Sequence, residues 1–145
     1  MSRDSFAFVA LDWNGTVVPF FGLPPFAGAL EQVRRLRRAG LPVFVVSCAE
    51  QATIDADVAR VGVTVDGVYG CTDKAPVFSR LRLQHGAPGV VLGDHPGDLR
   101  AAQAADLGFY QARLDGQAHF SGVEGAFENW EEVSTLLLAG VHDPD

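Results

Sequence analysis

The sequence predicts an α/β fold: a three-layer, doubly wound (Rossmann-like) parallel sheet in one domain, with no cap domain inserted. Three observations predict it. Short apolar runs rich in β-branched residues alternate along the chain with longer segments whose apolar residues recur at helical spacing. Strands that alternate with helices pair in parallel through right-handed crossovers, and the helices then cover both sheet faces. The third is size: 145 residues make a single domain, residues 1–145, which buries roughly two thirds of its unfolded surface.

The elements follow in order. Phe6 to Leu11 is an uninterrupted apolar run and reads as a buried first strand. Pro25 to Ala39 reads as a helix, with Leu30, Val33 and Leu36 on the inner face and Gly40 as its stop. Val43 to Val46 is the second strand, and Ala49 to Arg60 a helix with Ile54 and Val58 inward. Val65 to Tyr69 is a short third strand, Lys74 to Gln84 a helix and Val90 to Leu92 the fourth strand. An Ala-rich helix from Asp98 to Asp106 leads to a fifth strand, Phe109 to Ala112. Asn129 to Leu138 closes the chain as a helix, where Asn129 can cap and Glu131 and Glu132 favour the positive end of the dipole.

Composition narrows the function. The chain is 48% apolar and 20% charged, with a formal net charge of −7, so on average it repels nucleic acid. Its one basic run, Arg34, Arg35, Arg37 and Arg38, reads as the solvated face of the first helix. No stretch of 18 apolar residues and no basic-then-apolar leader is present, so the expectation is a cytoplasmic protein away from membranes. Two cysteines, Cys48 and Cys71, do not make a disulfide framework.

Polar residues stand where the strands end. Asp12-Trp13-Asn14-Gly15-Thr16 follows the first strand, Ser47 the second, and Gly93-Asp94-His95-Pro96-Gly97-Asp98 the fourth, with Lys74 between the last two. The C-terminal ends of parallel strands are where open α/β sheets bind ligands. This order of residues, from about Phe6 to about Ala112, resembles the haloacid dehalogenase-like (HAD) hydrolases. The two places where that family inserts a cap, after Thr16 and between Ser47 and Lys74, are nearly empty here. The resemblance is therefore to a capless member.

The resemblance implies a Mg²⁺-dependent phosphatase in which Asp12 is the nucleophile and forms an aspartyl-phosphate. It places the metal on Asp12, on the main-chain carbonyl of Asn14 and on Asp94. Ser47 would bond a phosphate oxygen and Lys74 would balance transition-state charge. Backbone N–H groups near Trp13 and Asn14 would complete a phosphate cradle. Asp98 would stand behind the ligands and orient Asp94, a metal-bound water or Lys74. Plainer readings remain beside these: Asp12 or Ser47 as caps of turns, Asp98 as a helix N-cap, His95 as an exposed loop residue. An acidic chain that holds phosphate also needs a cation between the two, as a metal would supply.

Asn14 departs from the family pattern, which has a second Asp there. Its amide cannot donate the proton that general acid catalysis supplies, worth about 10²–10⁴-fold. Either the leaving group is good, or another group such as His95 shuttles the proton, or turnover is slow and the domain serves binding or regulation. The apolar segment Val17 to Phe26 is the other anomaly: a hairpin-like flap over the site, or rings tucked into the core. As a flap, Phe20 and Phe21 would meet a substrate or a second copy of the chain. The expected substrate is a phosphorylated small molecule or macromolecule.

Overall fold

The computed structural model describes residues 6–138. Six strands form one all-parallel sheet in the order β3-β2-β1-β4-β5-β6. In chain order they are β1 (Phe8–Leu11), β2 (Val43–Ser47), β3 (Gly67–Gly70), β4 (Gly89–Gly93), β5 (Gly108–Ala112) and β6 (Gly125–Phe127). The helices are α1 (Ala29–Arg38), α2 (Gln51–Val61), α3 (Lys74–His85), α4 (Pro96–Ala104) and α5 (Val133–Leu137). This is the doubly wound α/β domain the alternation predicts, and among the described residues no cap domain interrupts it.

Every residue of β1, β2 and β4 is buried, as expected of strands covered on both faces. The period of two splits β1 between two cores. Val9 and Leu11 pack with Val33 and Leu36 of α1, Ile54 and Val58 of α2, and Val133 and Leu137 of α5. Phe8 and Ala10 pack with Val77, Phe78 and Leu81 of α3 and Leu99 and Ala102 of α4. The basic run behaves as read: Arg34, Arg35 and Arg38 are exposed on α1, and Arg37 pairs with Asp66 at 3.0 Å. Among the described residues, no helix is long and apolar enough to cross a membrane.

The structure corrects several boundaries. Helix α1 begins at Ala29, not Pro25, because Phe26 N–H is bonded to Val17 O at 2.9 Å and Gly28 turns the chain at φ 84°. Helix α4 begins at Pro96, since His95 caps it by accepting the Gly97 N–H on Nδ1 at 2.9 Å, and proline suits the first helical turn. Asp98 is therefore not the N-cap. The closing helix is broken into a 3₁₀ turn, Trp130–Glu132, followed by α5. Asn129 makes no side-chain cap there. Strand β6 is additional; three residues, two of them small, carry no readable alternation.

The segment after β1 is a compact loop and not a hairpin. Its one ladder contact is an isolated bridge between Asn14 and Val18, and Val17 and Val18 are wholly buried. The expected core and flap readings are divided between two rings. Phe21 packs against the core, while Phe20 is 59% exposed and meets Phe21 edge-on at 5.5 Å.

Candidate active site

Strand order reverses between β1 and β4, and the crevice at the C-terminal ends of such a pair is where doubly wound sheets hold ligands. The register Leu11↔Leu92 brings Asp12 and Asp94 there side by side. The turn after β1 is tied to its neighbour by Asp12 N–H to Leu92 O at 2.9 Å. Gly15 makes the approach possible: at φ 83° it takes a conformation few L-residues adopt, and a Cβ there would lie 2.0 Å from Asp94 Oδ2. Gly93 is a second such point, since its Cβ would lie 2.6 Å from Asp98 Oδ2.

Carboxylate oxygens of Asp12, Asp94 and Asp98 lie within 4.8 Å of one another. Lys74, on the first turn of α3, reaches between two of them. Its Nζ donates to Asp12 Oδ1 and to Asp98 Oδ1, each at 2.7 Å. Both pairs are nearly sealed from solvent. One ammonium among three carboxylates leaves the cluster short of positive charge. Burial pushes all three carboxyls above their ordinary range, against the pull of Lys74 on Asp12 and Asp98. Asp98 is pushed up to about 6, chiefly by burial and then by the charge of Asp12. Burial opposes the Lys74 ammonium, but Asp12 and Asp98 outweigh it and hold the group protonated.

These residues fit a hard divalent cation. The donors are all carboxylate oxygens, the preference of Mg²⁺, and Asp98 Oδ2 is buried without a hydrogen-bond partner. Asn14 Oδ1 is likewise buried and unpartnered. Ser47 ends β2 beside Gly70 of β3, buried at the same edge of the sheet. The Trp13 side chain points away from this cluster. Its ring is fully buried, and Nε1 donates to Asp57 Oδ2 at 2.7 Å.

Three residues to which the sequence reading gave no role complete the surroundings. Asp57, on α2, also accepts Gly22 N–H at 3.1 Å and Arg60 Nε at 2.8 Å, while Arg60 Nη2 donates to Leu23 O at 2.8 Å. It thus ties the exposed loop to the residue after Asp12. Thr16 Oγ1 lies 3.5 Å from Asp12 Oδ2, and its carbonyl accepts Trp130 Nε1 at 2.8 Å. The Gln117 side chain faces Asp94 and favours its charged form. Its loop is pinned by the buried Gln111, which donates to Ala118 O and accepts Phe120 N–H at 2.7 and 2.8 Å. The spacing of Asp57 and Gln117 carries no motif, so only the tertiary fold reveals them.

The chain shares its fold with solved structures of HAD-superfamily hydrolases. No family model and no curated protein sequence matches it, but solved structures do. A HAD-superfamily hydrolase from Ehrlichia chaffeensis superposes with a TM-score of 0.78 at 13% identity, over 97% of this chain and 100% of that one. A HAD family hydrolase from Deinococcus radiodurans R1, with bound phosphate and sodium, gives 0.77 at 15% identity over 95% and 97%. The D,D-heptose 1,7-bisphosphate phosphatase of B. bronchiseptica, complexed with magnesium and phosphate, gives 0.70 at 20% identity over 91% and 98%.

Proposed function

We propose that the protein is a Mg²⁺-dependent phosphatase that hydrolyses phosphoric monoesters through an aspartyl-phosphate on Asp12. The observation that carries this reading is the cluster of Asp12, Asp94 and Asp98 about Lys74 at the switch point of the sheet. Phosphate and a metal occupy two of the similar structures, which supports the same chemistry here.

Asp12 supplies the attacking oxygen: an Oδ–P bond forms as the ester P–O bond breaks, and the departing alkoxide takes its proton from water. A water then attacks phosphorus, the Asp12 Oδ–P bond breaks, and inorganic phosphate leaves with the carboxylate restored. Lys74, held by Asp98, fixes the Asp12 carboxylate and sets a positive charge where negative charge accumulates. The Ser47 hydroxyl and the backbone N–H groups near Trp13 and Asn14 bind phosphate oxygens. Asp12, the Asn14 carbonyl and Asp94 would hold Mg²⁺, which when bound screens the phosphate from the carboxylates. Asn14 offers its amide oxygen as an acceptor that orients a water or alcohol without giving it a proton.

Phe20 and Leu23, both exposed, supply an apolar lip that a macromolecular substrate or a second copy of the chain would cover. A panel of alkyl, aryl and acyl phosphates, assayed with and without Mg²⁺, tests the reading. Turnover must require the cation and must vanish in Asp12→Asn; activity that survives that substitution overturns it. Asn14 also favours a second reading, a catalytically weak HAD-like domain used for binding or regulation. That reading predicts phosphate-ester binding without turnover across the panel.

A further inference from the structure

We propose that Cys48 and Cys71 are a redox pair that closes reversibly to an intramolecular disulfide beside the site, with a peroxide as oxidant. Both residues stand one position beyond a strand end. Ser47 of β2 is in register with Gly70 of β3, so Cys48 and Cys71 are the next cross-strand neighbours. They lie two residues past the Val46↔Tyr69 pair, so a period of two carried one residue beyond the strand ends would set both on one sheet face. Neighbouring strands run about 4.8 Å apart, inside the Cα separation of about 4.4–6.8 Å that a disulfide spans.

The side chains use that proximity. The two thiols lie close enough for the charge of Cys48 to act on Cys71. Each also reaches across to the other's strand end: Cys71 Sγ to Ser47 O at 3.6 Å, and Cys48 Sγ to Thr72 O at 3.9 Å. Backbone N–H of Cys71 to Ser47 O at 3.0 Å holds the two segments in place. Both residues open on a recess shared with Glu50, Gln51 and Thr72, which gives a small oxidant access. Neither thiol is used by the proposed hydrolysis.

Cys48 is exposed and Cys71 half-buried, which assigns their order. An oxidant from solvent therefore meets the exposed Cys48 first, while burial pushes the Cys71 thiol up and keeps it in reserve. The Cys48 sulfur attacks one oxygen of hydrogen peroxide, the O–O bond breaks, and the departing hydroxide leaves as water with the released proton. Cys71 sulfur then attacks the Cys48 sulfenic acid; the S–O bond breaks and a second water leaves. Two thiols and one peroxide give one disulfide and two waters, and thiol exchange with a reductant reverses the change.

The consequence for turnover rests on the phosphatase reading. Ser47 precedes Cys48 directly, and Lys74 opens α3 just after Cys71. Drawing the two sulfurs together to a bond of about 2.05 Å shifts both segments, and a displacement near 1 Å costs about 10²-fold in rate. The test treats the full chain with hydrogen peroxide, then measures intact mass, free thiols and phosphate-ester turnover before and after dithiothreitol. The expected result is a loss of about 2 Da, two hydrogens, a Cys48–Cys71 cross-linked peptide, and turnover lowered by about 10–100-fold, all reversed by reductant. Cys48→Ser and Cys71→Ser should each keep basal turnover and lose both the mass change and the inhibition. Accumulated sulfenic or sulfinic acid without the cross-link, or a disulfide only between two chains, overturns the pair. A reduced protein without turnover would sink the phosphatase reading but leave the mass result to decide this one. A cross-link that leaves an active enzyme unchanged refutes the inhibition.

Discussion

Replacing Gly15 by Ala separates two things the turn after β1 does. A Cβ at this position would sit 2.0 Å from Asp94 Oδ2 and 2.5 Å from its Cγ, well over 1 Å inside ordinary contact. The Asp94 side chain must rotate away from Asp12, because the turn's backbone is tied down by Asp12 N–H on Leu92 O and Gly15 N–H on Val18 O, at 2.9 and 2.7 Å. Ala also takes on the left-handed strain of φ 83°, about 1–2 kcal/mol. The expected thermal midpoint is roughly 3–10 °C lower for a domain of this size. Loss of one carboxylate from the cluster should weaken Mg²⁺ binding by about 10²-fold or more, the upper range for disturbing residues around a metal. Gly22→Ala is the control: its φ is 84° but no atom lies within 4 Å of the added Cβ. It carries the same backbone strain without touching the cluster. Isothermal titration with Mg²⁺, run beside urea unfolding on both variants, isolates the steric part. If Gly15→Ala loses no more cation affinity than Gly22→Ala, Asp94 is not where the cation is held.

Asn14→Asp should raise turnover of alkyl phosphates by up to about 10²-fold while changing acyl phosphates little; equal effects on both would show that proton transfer is not limiting. Asp57 is held below the usual carboxylate range by Arg60, with help from Trp13 and the Gly22 N–H against the effect of burial. Its folded value lies below its unfolded value of about 3.9, so its stabilisation is complete above that pH and disappears as pH falls through the folded value. Urea midpoints measured from about pH 6 to about pH 2 should therefore fall more steeply for the wild type than for Asp57→Asn, and parallel curves would refute this. Phe20→Ser should leave stability within about 0.5 kcal/mol, as exposed sites do, and shift any oligomer to monomer in light scattering. Phe21→Ser should instead cost roughly 2–4 kcal/mol in urea unfolding through lost packing.

Much of this was legible because it is local. Apolar runs locate five of the strands, and each candidate polar residue follows a strand or opens a helix. What pairs them is not local. Nothing in the spacing of Asp12, Lys74 and Asp98 states that one ammonium bridges the two carboxylates; the β1–β4 register and the docking of α3 decide it. His95 was readable as a loop residue but not as a cap, because its role depends on Pro96 starting the helix early. Trp13 reads as a donor of its backbone N–H to a phosphate cradle, and no spacing states where its indole goes: the fold buries it and sets Nε1 on Asp57 of α2. Strand β6 was missed because Gly125-Ala126-Phe127 is too short and too small to show a period. The loop after β1 defeated the reading of a hairpin since Val17 and Val18 turn inward while Phe20 turns out.

The position of Lys74 on α3 has a consequence for the order of folding. Helix α3 is the crossover that carries the chain from β3, at one edge of the sheet, past β2 and β1 to β4. Until that crossing is made, Asp12 has neither the ammonium nor the carboxylates that surround it in the native state. The strand-to-strand separation along the chain is long, and such contacts form late because loop-closure entropy must be overcome first. A divalent cation that recognises the assembled cluster then has nothing to hold in the early transition state. It should slow unfolding and leave refolding at its unassisted rate, the kinetic mark of an interaction formed only after the barrier.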